Sequence, residues 1–137
     1  MSAEEQKELK IKVGSVKRTK SEFEAYVKEE VAQRAKIDKM KADGAEEADV
    51  KKQMEVLNDT LTVLPDTRQR LAKYAQELSR FMDNYFPEPP DSSQEALRTL
   101  VLESRQLVQD LGSMLGLVLE PAGAEGGEAN DGPETDF

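Results

Sequence analysis

The side chains of this 137-residue chain that could do acid–base chemistry are its 28 aspartates and glutamates, because the sequence contains neither histidine nor cysteine. The chain therefore lacks the usual general base near neutral pH and any thiolate nucleophile. Its carboxylates could still bind Mg²⁺, but they do not cluster in a suggestive way, and no phosphate loop, calcium loop or nucleophile elbow is present. We predict that the protein is not an enzyme and needs no cofactor or metal.

Charge is unevenly distributed along the chain. The net charge is −9, and residues 120–137 carry six acidic side chains and no basic one. The rest is nearly neutral and aromatics are only 5% of the chain, which argues against nucleic-acid binding. The longest apolar run, Leu111–Leu119, is shorter than the ~20 residues that a membrane span needs. We expect a soluble intracellular protein with no membrane or nucleic-acid partner.

One segment near the N-terminus is strongly basic. LKIKVGSVKRTKS, residues 9–21, holds five basic side chains and no acidic one. Such a run is compatible with an ordinary solvated helix face. The alternative is a dock for an acidic partner, whose approach the charge would steer.

Apolar residues recur at helical spacing in three segments, which predict helices over about residues 5–42, 47–86 and 92–119. Asp43-Gly44 should end the first helix and PEPPD, residues 87–91, the second. Ser92 and Glu95 have the spacing of a capping box for the third. The predicted apolar stripes are Leu9, Val13, Val16, Phe23, Val27, Val31, Ile37 and Met40; Val50, Met54, Leu57, Leu61, Leu64, Leu71, Ala75, Leu78, Met82 and Tyr85; and Leu97, Leu100, Ser104, Leu107, Leu111, Met114 and Val118.

Polar residues interrupt the first two stripes. Lys20 and Arg34 occupy stripe positions in the first helix, and Arg68 occupies one in the second. Pro65 also falls within the second helix, although the stripe keeps its spacing on both sides. The unbroken spacing predicts one helix, bent at the proline, instead of two helices joined by a loop. The bend is either a tolerated kink or a feature that shapes the protein to a partner.

No segment alternates apolar and polar residues as a half-buried strand would. The short connections predict an all-α fold, an elongated antiparallel up-down-up three-helix bundle over residues 1–119. Residues 120–137 should form a disordered acidic tail. Across the first turn, positions whose numbers sum to ~92 should lie opposite each other, because antiparallel helices advance equally in opposite directions. A narrow bundle offers no large cleft, which favours a partner protein over a small substrate.

Three sequence stretches resemble the tubulin-specific chaperone A family, also called tubulin-binding cofactor A. They are IKVGSVKRTKSEF, DVKKQMEVLNDT and LPDTRQRL, and the resemblance covers roughly residues 8–85. It implies a three-helix rod that acts as a cytosolic, ATP-independent cofactor associated with the cytoskeleton. Members bind β-tubulin after its release from the chaperonin and hold it until other cofactors join it to α-tubulin. Both monomers and homodimers occur in the family.

The resemblance also suggests which side chains contact β-tubulin. The candidates are Lys12, Lys17, Arg18, Lys51, Lys52, Gln53, Glu55, Pro65, Asp66, Arg68 and Arg70. Two alternatives remain at this point: a structural or scaffolding helical bundle unrelated to tubulin, and a coiled-coil oligomer whose helices pair between chains. A separate hypothesis is that the acidic tail folds back onto the basic end of the bundle near Lys36–Lys52 and competes there with an acidic client.

Overall fold

The computed structural model of the chain describes residues 3–116, which form three α-helices and no strand. Helix α1 spans Ala3–Ala42, α2 spans Glu47–Tyr85 and α3 spans Glu95–Leu115, and a 3₁₀ turn at Ser92–Gln94 precedes α3. The all-α class with three helices is confirmed. Over the described residues, none of the helices is both long and apolar enough to cross a bilayer. The predicted acidic tail lies outside the described residues.

The turn between α1 and α2 is built around Gly44, whose φ of 78° is left-handed. The amide of Ala45 donates to the carbonyl of Met40 at 2.9 Å, and the amide of Asp43 donates to that of Lys39 at 2.9 Å. These bonds satisfy carbonyls that the end of a helix would leave without donors. Glycine adopts this conformation without steric cost, so the predicted stop at Asp43-Gly44 is confirmed.

Helix α2 is continuous through Pro65, as the unbroken apolar spacing predicted. Threonine hydroxyls bond to backbone carbonyls on both sides of the proline: Thr62 donates to Asn58 at 2.9 Å and buried Thr67 to Val63 at 3.0 Å. Such back-bonding to the residue four positions earlier tends to bend helices. Two backbone carbonyls near the proline, those of Asn58 and Val63, thus accept from side chains of the same helix.

The start of α3 differs from the sequence-based expectation. Asp91, and not Ser92, caps the preceding turn, because its carboxylate accepts from the amide of Ser93 at 3.0 Å. The bonds from the side chain and amide of Ser93 also lower the pKa of Asp91. At the other end, Gly116 adopts a left-handed φ of 68° and closes α3 at Leu115. The predicted end at Leu119 lies outside the described residues.

The chain divides into two compact units. In the first, here called the three-helix unit, residues 3–14 of α1 and the part of α2 from Ala72 onward belong with α3. Its interior consists of large apolar side chains that are almost fully buried. They include Leu9, Val13, Leu78, Met82, Phe86, Val101 and Leu111.

The second unit, Ser15–Leu71, contains only the rest of α1 and the start of α2, and is here called the hairpin unit. Val16, Ile37, Leu57 and Leu71 are buried in it, together with the threonines at 19, 60 and 67. Two helical segments enclose a thinner interior than three do. Small polar side chains that bond to their own helix suit such an interior.

Five residues of the predicted stripes are exposed. Val27, Val31 and Met54 lie in the hairpin unit, and Tyr85 of α2 and Met114 of α3 lie in the three-helix unit. In the hairpin unit the reason is that two packed helices bury only the sides that face each other. The described residues of this unit include no third helix to cover the outer part of the stripes.

Candidate functional site

All the candidate contact residues except Lys12 lie in the hairpin unit. In the three-helix unit, the Lys12 ammonium lies 3.7 Å from the Glu8 carboxylate and 5.6 Å from the centre of the Phe81 ring. These are an (i, i+4) ion pair and a cation–π contact within the fold. The side chain of Lys12 thus has a structural role that competes with a role in binding.

An ion pair joins the two helices of the hairpin unit. Arg70 Nη2 lies 3.2 Å from Glu22 Oε2, and it also donates to the hydroxyl of Thr67 at 3.4 Å. The numbers 22 and 70 sum to 92, so the predicted antiparallel register is confirmed for this pair. Asp66 lies 3.7 Å from the same guanidinium. Arg70, a candidate, therefore joins the two helices of the hairpin, and Asp66, also a candidate, pairs with it within α2.

The candidates do not converge on one face of the hairpin. We call the side that carries the Glu22–Arg70 pair the link face. Successive residues of a helix are rotated by ~100°, which places Lys52 and Arg18 within ~40° of the linked residues of their helices. By the same geometry Pro65 and Arg68 lie ~140–160° from Arg70, on the opposite side. The structure thus distributes the candidates over both sides.

Exposed charge is the property that most of these candidates share. Lys17, Arg18, Lys51, Lys52 and Glu55 are exposed, whereas Gln53 and Arg68 are half-buried. Among the described residues there is no group of acidic side chains that could hold a metal ion. Exposed basic groups can steer an acidic macromolecule and form salt-sensitive contacts with it. This part of the chain is suited to protein binding.

Comparison with known proteins identifies the family. Residues 4–101 match the family model described as tubulin binding cofactor A. The chain belongs to the tubulin binding cofactor A family. This match includes all the candidate residues and reaches into α3, further than the resemblance over residues 8–85.

Relatives within the tubulin binding cofactor A family are moderately similar to the chain. It is 40% identical over 78 residues to human tubulin-specific chaperone A, covering 57% of this chain and 72% of the relative. It is 31% identical over 86 residues to the Dictyostelium discoideum protein of the same name, covering 62% of this chain and 76% of the relative. The similarity thus extends over most of each relative.

Two solved structures have the same fold. Tubulin folding cofactor A from Arabidopsis thaliana matches with a TM-score of 0.69 and 26% identity, over 82% of this chain and 99% of that structure. The human tubulin chaperone cofactor a matches with a TM-score of 0.61 and 30% identity, over 78% and 97%. The fold of this chain therefore matches nearly the whole of each of these two structures.

Sequence reasoning missed the exposed apolar surface formed by Val27, Val31 and Met54. The apolar spacing predicts that all three are buried. The signal that could have revealed the exposure was Lys20 and Arg34, which occupy stripe positions on either side of the two valines. Lys and Arg side chains are seldom fully buried, so a stripe that contains both of them indicates that this side of the helix reaches solvent.

Proposed function

We propose that this protein is a tubulin-folding cofactor that binds β-tubulin folding intermediates after their release from the chaperonin. It hands them on for assembly of the α/β-tubulin heterodimer, and it does so in the cytoplasm without hydrolysing ATP. Its partners are β-tubulin and, through it, the other folding cofactors, and the protein acts as a monomer or a homodimer. The match to the family over residues 4–101 carries the proposal.

Capture and hand-off need an interface that forms quickly and also releases. The exposed cations of the hairpin unit, Lys17, Arg18, Lys51 and Lys52, suit the first requirement because they attract an acidic client over about a Debye length, ~8–10 Å. Release follows if the contact is modest in area and salt-sensitive. No bond is made or broken in this cycle, so the proposal requires no catalytic group.

The first test of the function is direct. The full-length protein is mixed with β-tubulin freshly released from chaperonin, and the mixture is separated by native gel electrophoresis with α-tubulin as the comparison. We expect a discrete complex with β-tubulin that forms without added nucleotide. Absence of a complex at micromolar concentrations would contradict the function and favour a scaffolding helical bundle.

A charge reversal tests the steering role. Replacing Lys17 and Arg18 together by Glu should slow the capture of β-tubulin by about tenfold or more at low salt, since steering raises association rates by ~10–10³. Stopped-flow fluorescence measures the rate, and circular dichroism checks that helicity is unchanged. Lys7→Glu with Lys73→Glu is the matched control, because it reverses two exposed charges outside both the candidate set and the basic run of residues 9–21. Equal rates for both double variants would remove Lys17 and Arg18 from the site.

A further inference from the structure

The hairpin unit has two unlike faces. The link face carries the Glu22–Arg70 ion pair. On the other side, here called the open face, lie residues rotated away from those two positions. At ~100° per residue, Val31 and Leu61 are each ~180° from the linked residue of their own helix. Their numbers sum to 92, so the antiparallel register places them opposite each other.

The open face is apolar at its centre. Val27 is 38% exposed, Val31 64% and Met54 46%, and half-buried Leu61 lies between the two helices. Val27 lies ~140° from Glu22, and Met54 ~160° from Arg70, so both belong to the open face. In a two-helix unit this strip is the outer part of the same apolar stripes that form the interior.

The two faces also differ in charge. Between Val50 and Leu71, α2 has three acidic residues, Glu55, Asp59 and Asp66, and all three lie within ~60° of Arg70, on the link face. The side chains that border the open face are mainly basic: Lys17, Lys20, Lys28 and Arg34 of α1 and Arg68 of α2, with Glu24, Asp38 and Glu47 as the acidic exceptions. Lys20 pairs with Glu24 at 3.1 Å, and Arg34 pairs with Glu30 at 2.9 Å.

Pro65 adds a polar feature to the open face. It is exposed and lies ~140° around α2 from Arg70. Because proline has no amide hydrogen, it cannot donate to the carbonyl of Leu61 as an ordinary residue four positions on would. The carbonyl of Leu61 therefore lacks the donor that it would have in a regular helix.

The three-helix unit shows how this chain packs a helix onto another. There, α3 lies along α2, with its apolar side chains buried and with Arg105 of α3 3.1 Å from Asp83 of α2. The contact thus combines an apolar strip with a charged pair beside it. The open face of the hairpin unit offers the same two elements, with the basic charge on the hairpin.

We propose that the open face is the docking surface for an amphipathic helical segment of the tubulin client, one that carries acidic side chains beside an apolar strip. The segment packs as a third helix on the hairpin, with its acids against Lys20, Lys28, Arg34 and Arg68. A second copy of this chain fits less well, because two open faces would bring like charges together. The inference rests on the proposed function, since the client supplies the segment.

Two neighbouring residues of α2 provide a matched test. Met54 and Val56 are similarly exposed, at 46% and 44%, but Met54 lies on the open face and Val56 lies ~40° from Arg70, on the link face. Met54→Glu should weaken binding of chaperonin-released β-tubulin at least ~10-fold, and Val31→Glu should do the same. Val56→Glu should leave the affinity within about threefold. Circular dichroism and thermal unfolding establish that all three variants are folded.

The outcomes separate this inference from the function itself. If the unchanged protein binds no tubulin, the proposed function fails. If it binds and Met54→Glu, Val31→Glu and Val56→Glu all bind equally well, or all equally poorly, the function stands and the open face is not the docking surface. Sedimentation velocity tests whether a second copy of this chain binds the open face instead. If the protein forms a dimer that Met54→Glu dissociates while tubulin capture is unchanged, the open face binds a second copy and the proposal is wrong.

Discussion

At the scale of single residues, Arg105 stands out because it reaches from α3 to the end of α2. It donates to the carbonyl of Phe86 at 2.7 Å and that of Met82 at 3.4 Å, and it pairs with Asp83 at 3.1 Å. The last carbonyls of a helix have no donors within the helix, and α2 has no basic residue in its own last turn. The carbonyl of Met82 also accepts from the amide of Phe86 at 2.7 Å. Arg105 therefore supplies from another helix a donor for the carbonyl of Phe86 and the positive charge that this end of α2 lacks.

Replacing Arg105 by Met should lower the free energy of unfolding by about 1–3 kcal/mol, the usual value of hydrogen bonds to a charged donor. Methionine retains much of the aliphatic length, so the loss reports mainly on the guanidinium. Urea denaturation followed by circular dichroism measures the change. Arg98→Met is the control, because exposed Arg98 makes one bond, to the carbonyl of Pro90 at 2.9 Å. Equal losses for the two variants would contradict the capping role.

At the scale of the elements, the unusual feature is a proline well inside a 39-residue helix. The helix continues through Pro65, and Thr62 and Thr67 bond to neighbouring carbonyls of the same stretch. A proline in a helix interior costs ~3 kcal/mol in an ideal helix, because a hydrogen bond is lost and the ring meets the carbonyl four residues back. The helix retains this residue at a position that belongs to the open face.

Pro65→Ala should therefore raise the free energy of unfolding by about 1–3 kcal/mol, measured by thermal and urea unfolding. If the proline shapes the docking surface, the same variant should bind β-tubulin more weakly although it is more stable. If it is only a tolerated kink, binding should stay unchanged. Gln69→Ala, an exposed change on the same helix, is the control for a general gain in helix propensity. A less stable Pro65→Ala protein would contradict the expected relief of strain.

At the scale of the whole molecule, charge is the property with the longest reach. The net charge of −9 comes mostly from residues 120–137, which carry six acids, whereas the open face of the hairpin unit is bordered mainly by cations. A net negative chain and an acidic client repel each other at low salt. The cations of the hairpin unit therefore attract the client against this overall electrostatic repulsion.

Removing residues 121–137 should raise the affinity for β-tubulin a few-fold at low ionic strength, and the difference should vanish near ~1 M salt, where the Debye length is ~3 Å. Fluorescence anisotropy across a salt series measures it. A full-length control in which the tail acids become Asn and Gln separates charge from chain length and should show the same gain. An unchanged or lower affinity of the shortened chain would show that the tail does not compete with the client.

Much of the architecture follows from local patterns in the sequence. The spacing of apolar residues predicts all three helices, the unbroken register predicts the helical state of Pro65, and Gly44 predicts the first turn. The prediction that opposed positions have numbers summing to ~92 is also correct for Glu22 and Arg70, because a short connection leaves antiparallel helices little freedom to slide. The start of α3 was predicted less well, since Asp91 and Ser92 are both good caps and only the local geometry selects between them.

The sequence by itself determined the helices, their antiparallel pairing and, through its family motifs, the class of partner, because helix periodicity and turn chemistry act within a few residues of the chain. Only the tertiary structure decided which parts of each apolar stripe are covered. Val16 and Val31 look alike in a helical pattern, yet one is buried and the other is exposed. Burial depends on neighbours distant in sequence, and within Ser15–Leu71 two helices cannot enclose a stripe that is wide enough for three.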